Sequence, residues 1–287
     1  MTGDAGFKKP KQNIFKKYLY LDSEQVLNAL SSLQGGDVDE VLTRTTDAKD
    51  GEFGVSVGAG PIRGKSGRKH ADNYQEEMTR KRTEHSAATL LLTKLNDADA
   101  IGRLTRFGAV EHAQLEQGML LEFSADLRLH PLHQVATAVR SWEAVARKFG
   151  GSKEDLAAAR TLLSMLELLL GGSEGRRVLA YAVLPDADDD HRLILNLSRR
   201  YISVSDDDFI GHATCIAQIE NVLSGDDESL AVRFLADSPV IPQERVILAE
   251  MPETLEGLEG LIGVRVTDSD LVFRSPAVVL NPVVIYR

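Results

Sequence analysis

The sequence predicts an α+β protein, with a helix-rich N-terminal part that holds an early strand and a helical hairpin, and a strand-rich C-terminal part. Three observations predict it. The segment "GMLLEFSADLRLHP" alternates apolar and polar residues, with Leu121, Phe123, Ala125, Leu127 and Leu129 on one face and Glu122, Ser124, Asp126 and Arg128 on the other, the period of a half-buried strand. Two helical patterns follow, Leu132–Phe149 and Lys153–Leu170, and the short "GGS" between them predicts an antiparallel hairpin. From Arg176 onward the texture turns to strands separated by acidic turns.

Taken in order, the chain opens on a lysine-rich arm, residues 1–17, with Lys8, Lys9, Lys11, Lys16 and Lys17. Tyr18–Leu21 reads as a short strand. Asp22 is placed to cap a helix, with Gln25 completing the capping box, and Val26, Leu30 and Leu33 give that helix one apolar face before Gly35 and Gly36 stop it. A glycine-rich loop spans 46–72. A further helix begins near Asn73, with Tyr74, Met78, Ala88, Leu91 and Leu95 at helical spacing and a polar turn, "TRKRTEH", toward solvent. Ser152 caps the second helix of the hairpin, with Asp155 in the capping box. The later strands are "RRVLAYAVLP", "HRLILNLSRRYISVS", "ATCIAQIENVL", "SLAVRFLAD" and "GVRVTDSDLVFRSPAVVLNPVVIYR". Residues 18–172 form the helix-rich part and 173–287 the strand-rich part, which either stands alone or shares a core with what precedes it.

Composition narrows the function classes. With 43% hydrophobic residues over 287 positions the chain can bury a sizeable core, so disorder throughout is excluded. A net charge of -10 repels nucleic acid on average, and aromatics at 6% leave little for base stacking, so nucleic-acid binding would fall to the lysine arm. Cys215 is the lone cysteine, which removes disulfide frameworks and thiolate zinc sites. The most apolar run, "LLSMLELLLGG", is too short for a bilayer and contains Glu167. No apolar leader follows the N-terminal lysines, and the expected location is the cytoplasm.

Several motifs invite chemistry. "AGPIRGKSG" fits a relaxed phosphate loop at 59–66, in which Gly64, Lys65 and Ser66 would cradle a nucleotide phosphate. The helix that should open at Lys65 is missing, since the polar "GRKHADN" follows, and the acid expected on a second strand finds only Asp186, beyond Pro185. His130 and His133 stand three apart, but Pro131 between them puts His130 before the helix, so a capping or surface pair is the simpler reading. "DADDDH" at 186–191 lacks the glycine and distant glutamate of a calcium loop and reads as a solvated turn. His212 and Cys215 lie three apart in a strand and so face opposite ways, leaving Cys215 as a small buried hydrophobe. No catalytic set emerges, and no metal or cofactor is expected.

Four stretches, "YLYLDSEQVLNALSSLQGG", "GMLLEFSADLRLHPL", "GHATCIAQIENVL" and the terminal "NPVVIYR", together resemble a bacterial family catalogued only as a domain of unknown function. Its relatives, as the resemblance implies, include components of bacterial antiphage defence loci beside a Clp-type AAA+ ATPase. The resemblance implies a non-enzymatic sensor or adaptor whose protein partner, the ATPase, does the work; it carries over no catalytic residue. The exposed basic features, the arm and the helix around Arg80, Lys81 and Arg82, are where an acidic partner would dock. Self-association remains open. The rival expectations are nucleotide binding at 59–66, which Lys65→Ala would abolish, and nucleic-acid binding by the arm, which would depend steeply on salt.

Overall fold

A computed structural model describes residues 16–33, 84–150, 152–170, 177–188, 191–235 and 263–287. Gly64, Lys65 and Ser66, the Arg80, Lys81 and Arg82 cluster and the loop at 46–72 lie outside the described residues. The described residues fall into two compact units, one of residues 22–102 and one joining the chain up to Leu21 with Arg103–Arg287.

The smaller unit contributes α1 (Ser23–Leu33) and α2 (84–97). Asp22 caps α1 as its spacing predicts: its Oδ1 accepts the backbone N–H of Gln25 at 2.9 Å. Val26 and Leu30 are buried on α1, and Ala88, Leu91 and Leu92 on α2.

The larger unit is built on a closed sheet. Its strands are β1 (Tyr18–Leu21), β2 (Gly102–Arg103, of which Arg103 belongs to this unit), β3 (Leu120–Leu129), β4 (Arg177–Val183), β5 (Arg192–Ser198), β6 (Gly211–Leu223) and, after the small hairpin partners β7 (Glu228–Leu230) and β8 (Val272–Arg274), β9 (Ala277–Tyr286). Antiparallel pairing runs β3 to β4 to β5; β5 then pairs β9 in parallel, β9 pairs β6, and β6 returns to β3. The ring of five strands therefore closes on itself, which removes its open edges. The residues facing inward explain the tight curl. Leu121, Phe123 and Leu127 on β3 are interleaved with the small Ala180, Ala182, Ala213, Cys215 and Ala217, all in one buried cluster. Pro282 sits in β9 where its register against β6 shifts, between the stretch held by β5 and the stretch held by β1.

The connections are helical. α3 (Ala109–His112) precedes β3; α4 (Pro131–Phe149) and α5 (Lys153–Leu169) join β3 to β4; α6 (Asp206–Phe209) joins β5 to β6; α7 (Ala231–Leu235) and α8 (Asp268–Leu271) lie between β6 and β9. Pro131 is the first residue of α4, where its missing N–H costs nothing, and Gly150 ends the helix at φ 82°. The predicted hairpin forms: Val139 of α4 shares a buried cluster with Ala159, Leu163 and Leu166 of α5, and Arg160 Nε donates to Glu143 Oε1 at 3.0 Å. That cluster also takes in Leu179, Ile194 and Val279, the outward positions of β4, β5 and β9, so the insertions cover this flank of the barrel.

Three sequence expectations change. The strand expected over "HRLILNLSRRYISVS" ends at Ser198, and Arg199–Tyr201 follow it as a 3-10 turn. The sequence predicts a strand over "SLAVRFLAD", but its described residues divide into β7 and α7, because Ala231, Val232 and Phe234 bury at a spacing that a short apolar run shares between both periods. Likewise "TDSDL" interrupts the last strand-like stretch as α8, since Thr267 and Asp270 form a reciprocal capping box.

Candidate functional site

On β3 and β4, Arg128 and Tyr181 are register partners and both point outward, away from the buried barrel interior. Arg192, at the start of β5, brings its guanidinium to 5.7 Å from the Tyr181 ring centre. This outward patch floors a cavity of about 500 Å³ at the end of the barrel where β4 turns into β5. Phe107, Leu184, Ala187 and His191 supply its wall near that turn, and Asp270 its far side. The turn is tied down from outside by a bridge between Phe107 and Ala187 and by Asp188 N–H donating to the Phe107 carbonyl at 3.1 Å.

Asp270 organises one side of the cavity. Its Oδ2 accepts from Thr267 N at 2.9 Å and Thr267 Oγ1 at 2.6 Å, while Oδ1 accepts the Tyr181 hydroxyl at 3.0 Å. Arg192 donates to the Ser269 carbonyl at 2.8 Å and to Ser269 Oγ at 3.1 Å, with its Nη1 3.9 Å from Asp270 Oδ1. α8 is thus fastened to the barrel by directional polar contacts. Burial, reinforced by the Asp270 carboxylate, drives the Tyr181 phenol strongly upward, so it stays a donor.

His130 completes this network from beneath. Leu132 N–H donates to its Nδ1 at 3.3 Å, and its Nε2 lies 2.7 Å from the Asp270 carbonyl. Only a neutral ring protonated on Nε2 satisfies both contacts. Desolvation, against the pull of the Asp270 carbonyl and charge, holds this imidazole down at about 4. Burial takes His133 down to about 4 as well, with Arg199 the next cause. The capping half of the sequence reading of this pair therefore holds for His130, whereas His133 is buried and not at the surface.

The other singled-out residues disperse. Cys215 is fully buried in the barrel, where desolvation raises its thiol far above the ordinary range, and His212 points to solvent beside Asp126 Oδ1 at 3.2 Å. Of the arm, Lys16 lies with its Nζ 3.9 Å from the Tyr286 ring centre, and Lys17 Nζ is 4.0 Å from Asp208. "DADDDH" is more than a solvated turn, because Ala187 bridges Phe107 and the His191 side chain is only 10% exposed. Sequence reasoning missed the cavity: Arg128, Tyr181, Arg192 and Asp270 come from four separate elements, the first three brought together by the strands and Asp270 by the polar contacts that fasten α8 to them. Among the described residues no group of acids, histidines and cysteines is arranged to hold a metal, and no helix is long and apolar enough to cross a membrane.

The order β3-β4-β5-β9-β6, closed back on β3 and with β5 and β9 parallel, is the connectivity of an OB-type Greek-key barrel, enlarged here by a helical hairpin after its first strand and a second insertion before its last. The fold and the cavity thus define a closed barrel with its outer flank built over by its own insertions. The chain belongs to the family described as Domain of unknown function (DUF6414), whose model matches residues 15–286. No curated protein and no solved structure matches it.

Proposed function

We propose that this chain is a non-enzymatic sensor or adaptor of a bacterial antiphage defence system, acting with a Clp-type AAA+ ATPase as its protein partner. The observation that carries the reading is the covered flank. OB-type barrels bind ligands on the outer face of their second and third strands, between the loops that here have become the two insertions. In this chain Leu179 and Ile194 on that face share a buried cluster with residues of α4, α5, α7, α8 and β8, and a cavity remains at the edge of the cover. A ligand in it touches barrel and insertion together, which couples its binding to the insertion's docking. The argument from barrel to binding is one of fold-level analogy. The ATPase and the defence role come from the family resemblance alone.

Affinity capture of the tagged full chain from its native host, with and without phage, tests the reading by mass spectrometry. Reproducible recovery of an AAA+ ATPase is the expected result. Recovery of the chain alone under both conditions overturns it.

A further inference from the structure

We infer that the cavity between β3, β4, β5 and α8 binds the oxyanion group of a small organic molecule, with the Arg128 guanidinium as clamp and the His191 imidazole as hydrogen-bond partner. The inference names what the sensing reading above leaves unnamed, and rests on that reading only for its purpose, not for its chemistry.

Two side chains carry it. Arg128 lines the cavity from the outward face of β3 and, among the described residues, forms no hydrogen bond or ion pair, although Tyr181 and Arg192 beside it are both engaged. His191 is the more telling. Its side chain is 10% exposed and lines the same cavity, yet neither ring nitrogen has a hydrogen-bond partner among the described residues. Native proteins rarely leave a buried imidazole so, because both nitrogens lose water and gain nothing. The ring is held in place by shape, edge-on to Phe107 at 5.2 Å and to His112 at 6.0 Å. A pre-placed ring with unspent hydrogen-bonding capacity and an unspent guanidinium, lining one cavity, are what recognition of a planar or tetrahedral oxyanion requires.

The two carboxylates in the lining do not cancel this. Asp270 is committed to Tyr181 and Thr267, with Arg192 close by. Asp188 is 69% exposed and its Oδ2 stands 3.9 Å from His191 Nδ1, beyond hydrogen-bond reach. Apolar surface from Val183, Pro185 and Ala187 is left for the body of the ligand, and about 500 Å³ lies within the size range of small-molecule sites. Phosphate esters and carboxylates share the head-group chemistry, and the test separates them.

The full chain, with its imidazole nitrogens observed by NMR, is titrated with inorganic phosphate and separately with acetate, ionic strength being held by sodium chloride. The expected result is a saturable shift of the His191 ring nitrogens, with affinity reduced roughly ten-fold or more in Arg128→Gln and partly restored in Arg128→Lys. A response to phosphate alone assigns phosphate esters, a response to acetate alone assigns carboxylates, and a response to both leaves the oxyanion site standing. Ring nitrogens that ignore both anions, or that move equally in Arg128→Gln, overturn the inference. The capture experiment fails independently: an ATPase recovered without anion binding spares the sensor reading and removes this site, and anion binding without a partner does the reverse.

Discussion

The inside and the outside of the barrel wall are held by different physics. Inside, β3 to β6 and β9 present Leu127, Val178, Leu195, Cys215 and Leu280, all at 0% exposure, whose side chains meet by packing. Outside, where α8 docks, a buried carboxylate, a phenol, an imidazole and a guanidinium are wired together by Asp270 and Ser269. The interior is non-directional and tolerant of any well-filled arrangement; the exterior contacts have one geometry and no substitute. The difference teaches where a ligand can act, since only the second region has polar atoms to compete for.

Acid should separate the two regions by the largest margin. His130 and His133 are held at about 4 when folded, against about 6.5 when unfolded. Above pH 6.5 both states are neutral and the stability is fully present. As pH falls from 6.5 to 4 the unfolded chain takes up protons that the folded chain refuses, so stability is lost, and below 4 the loss levels off. Each imidazole should contribute a loss of roughly 3 kcal/mol over this window. Urea unfolding at pH 7 and at pH 4.5 checks it, and His133→Gln should leave only His130's share of the slope. A flat profile would mean that the two rings exchange readily with solvent.

The interior is broken instead by volume. Leu127→Ala removes a fully buried side chain from the barrel wall, next to Ala182 of β4 and Gly211 of β6 in the register. A cost of about 2–5 kcal/mol is expected, with no change in pH dependence. Denaturant midpoints of the variant across the same pH range test both parts. A cost well under 1 kcal/mol would show that the closed wall relaxes into the space.

How legible each region was in the sequence follows the same division. The strand over Leu121–Leu129 was readable because its alternation is local, and the hairpin of α4 and α5 because its period and its short link are local. The stretches that carry the family resemblance also prove to be partners: "YLYL" pairs with "VVIY", and β3 pairs with β6 from Leu120 to Leu127. Closure of the barrel was not readable, because the parallel pairing of β5 with β9 joins Leu193 to Val278 across α6, β6 and the second insertion. The cavity was hidden for the same reason. Arg128 looked like one more polar residue on a solvent face, and nothing local announces that Tyr181 stands opposite it.

The smallest effect expected is also the most selective. Tyr181→Phe deletes only the hydroxyl that donates to Asp270 Oδ1 and keeps the ring, which packs at 5.4 Å from His130 and 6.4 Å from Phe273. Asp270 still receives Thr267 on its other oxygen, so the capping box of α8 survives. The carboxylate is then left with one oxygen served only by Arg192 at 3.9 Å, and a global loss of about 1 kcal/mol follows. Hydrogen exchange should concentrate that loss in residues 266–274, with the β3 and β6 amides unchanged. Uniform acceleration over both regions would mean that wall and cover unfold as one, and the contrast between them would then describe their chemistry but not their independence.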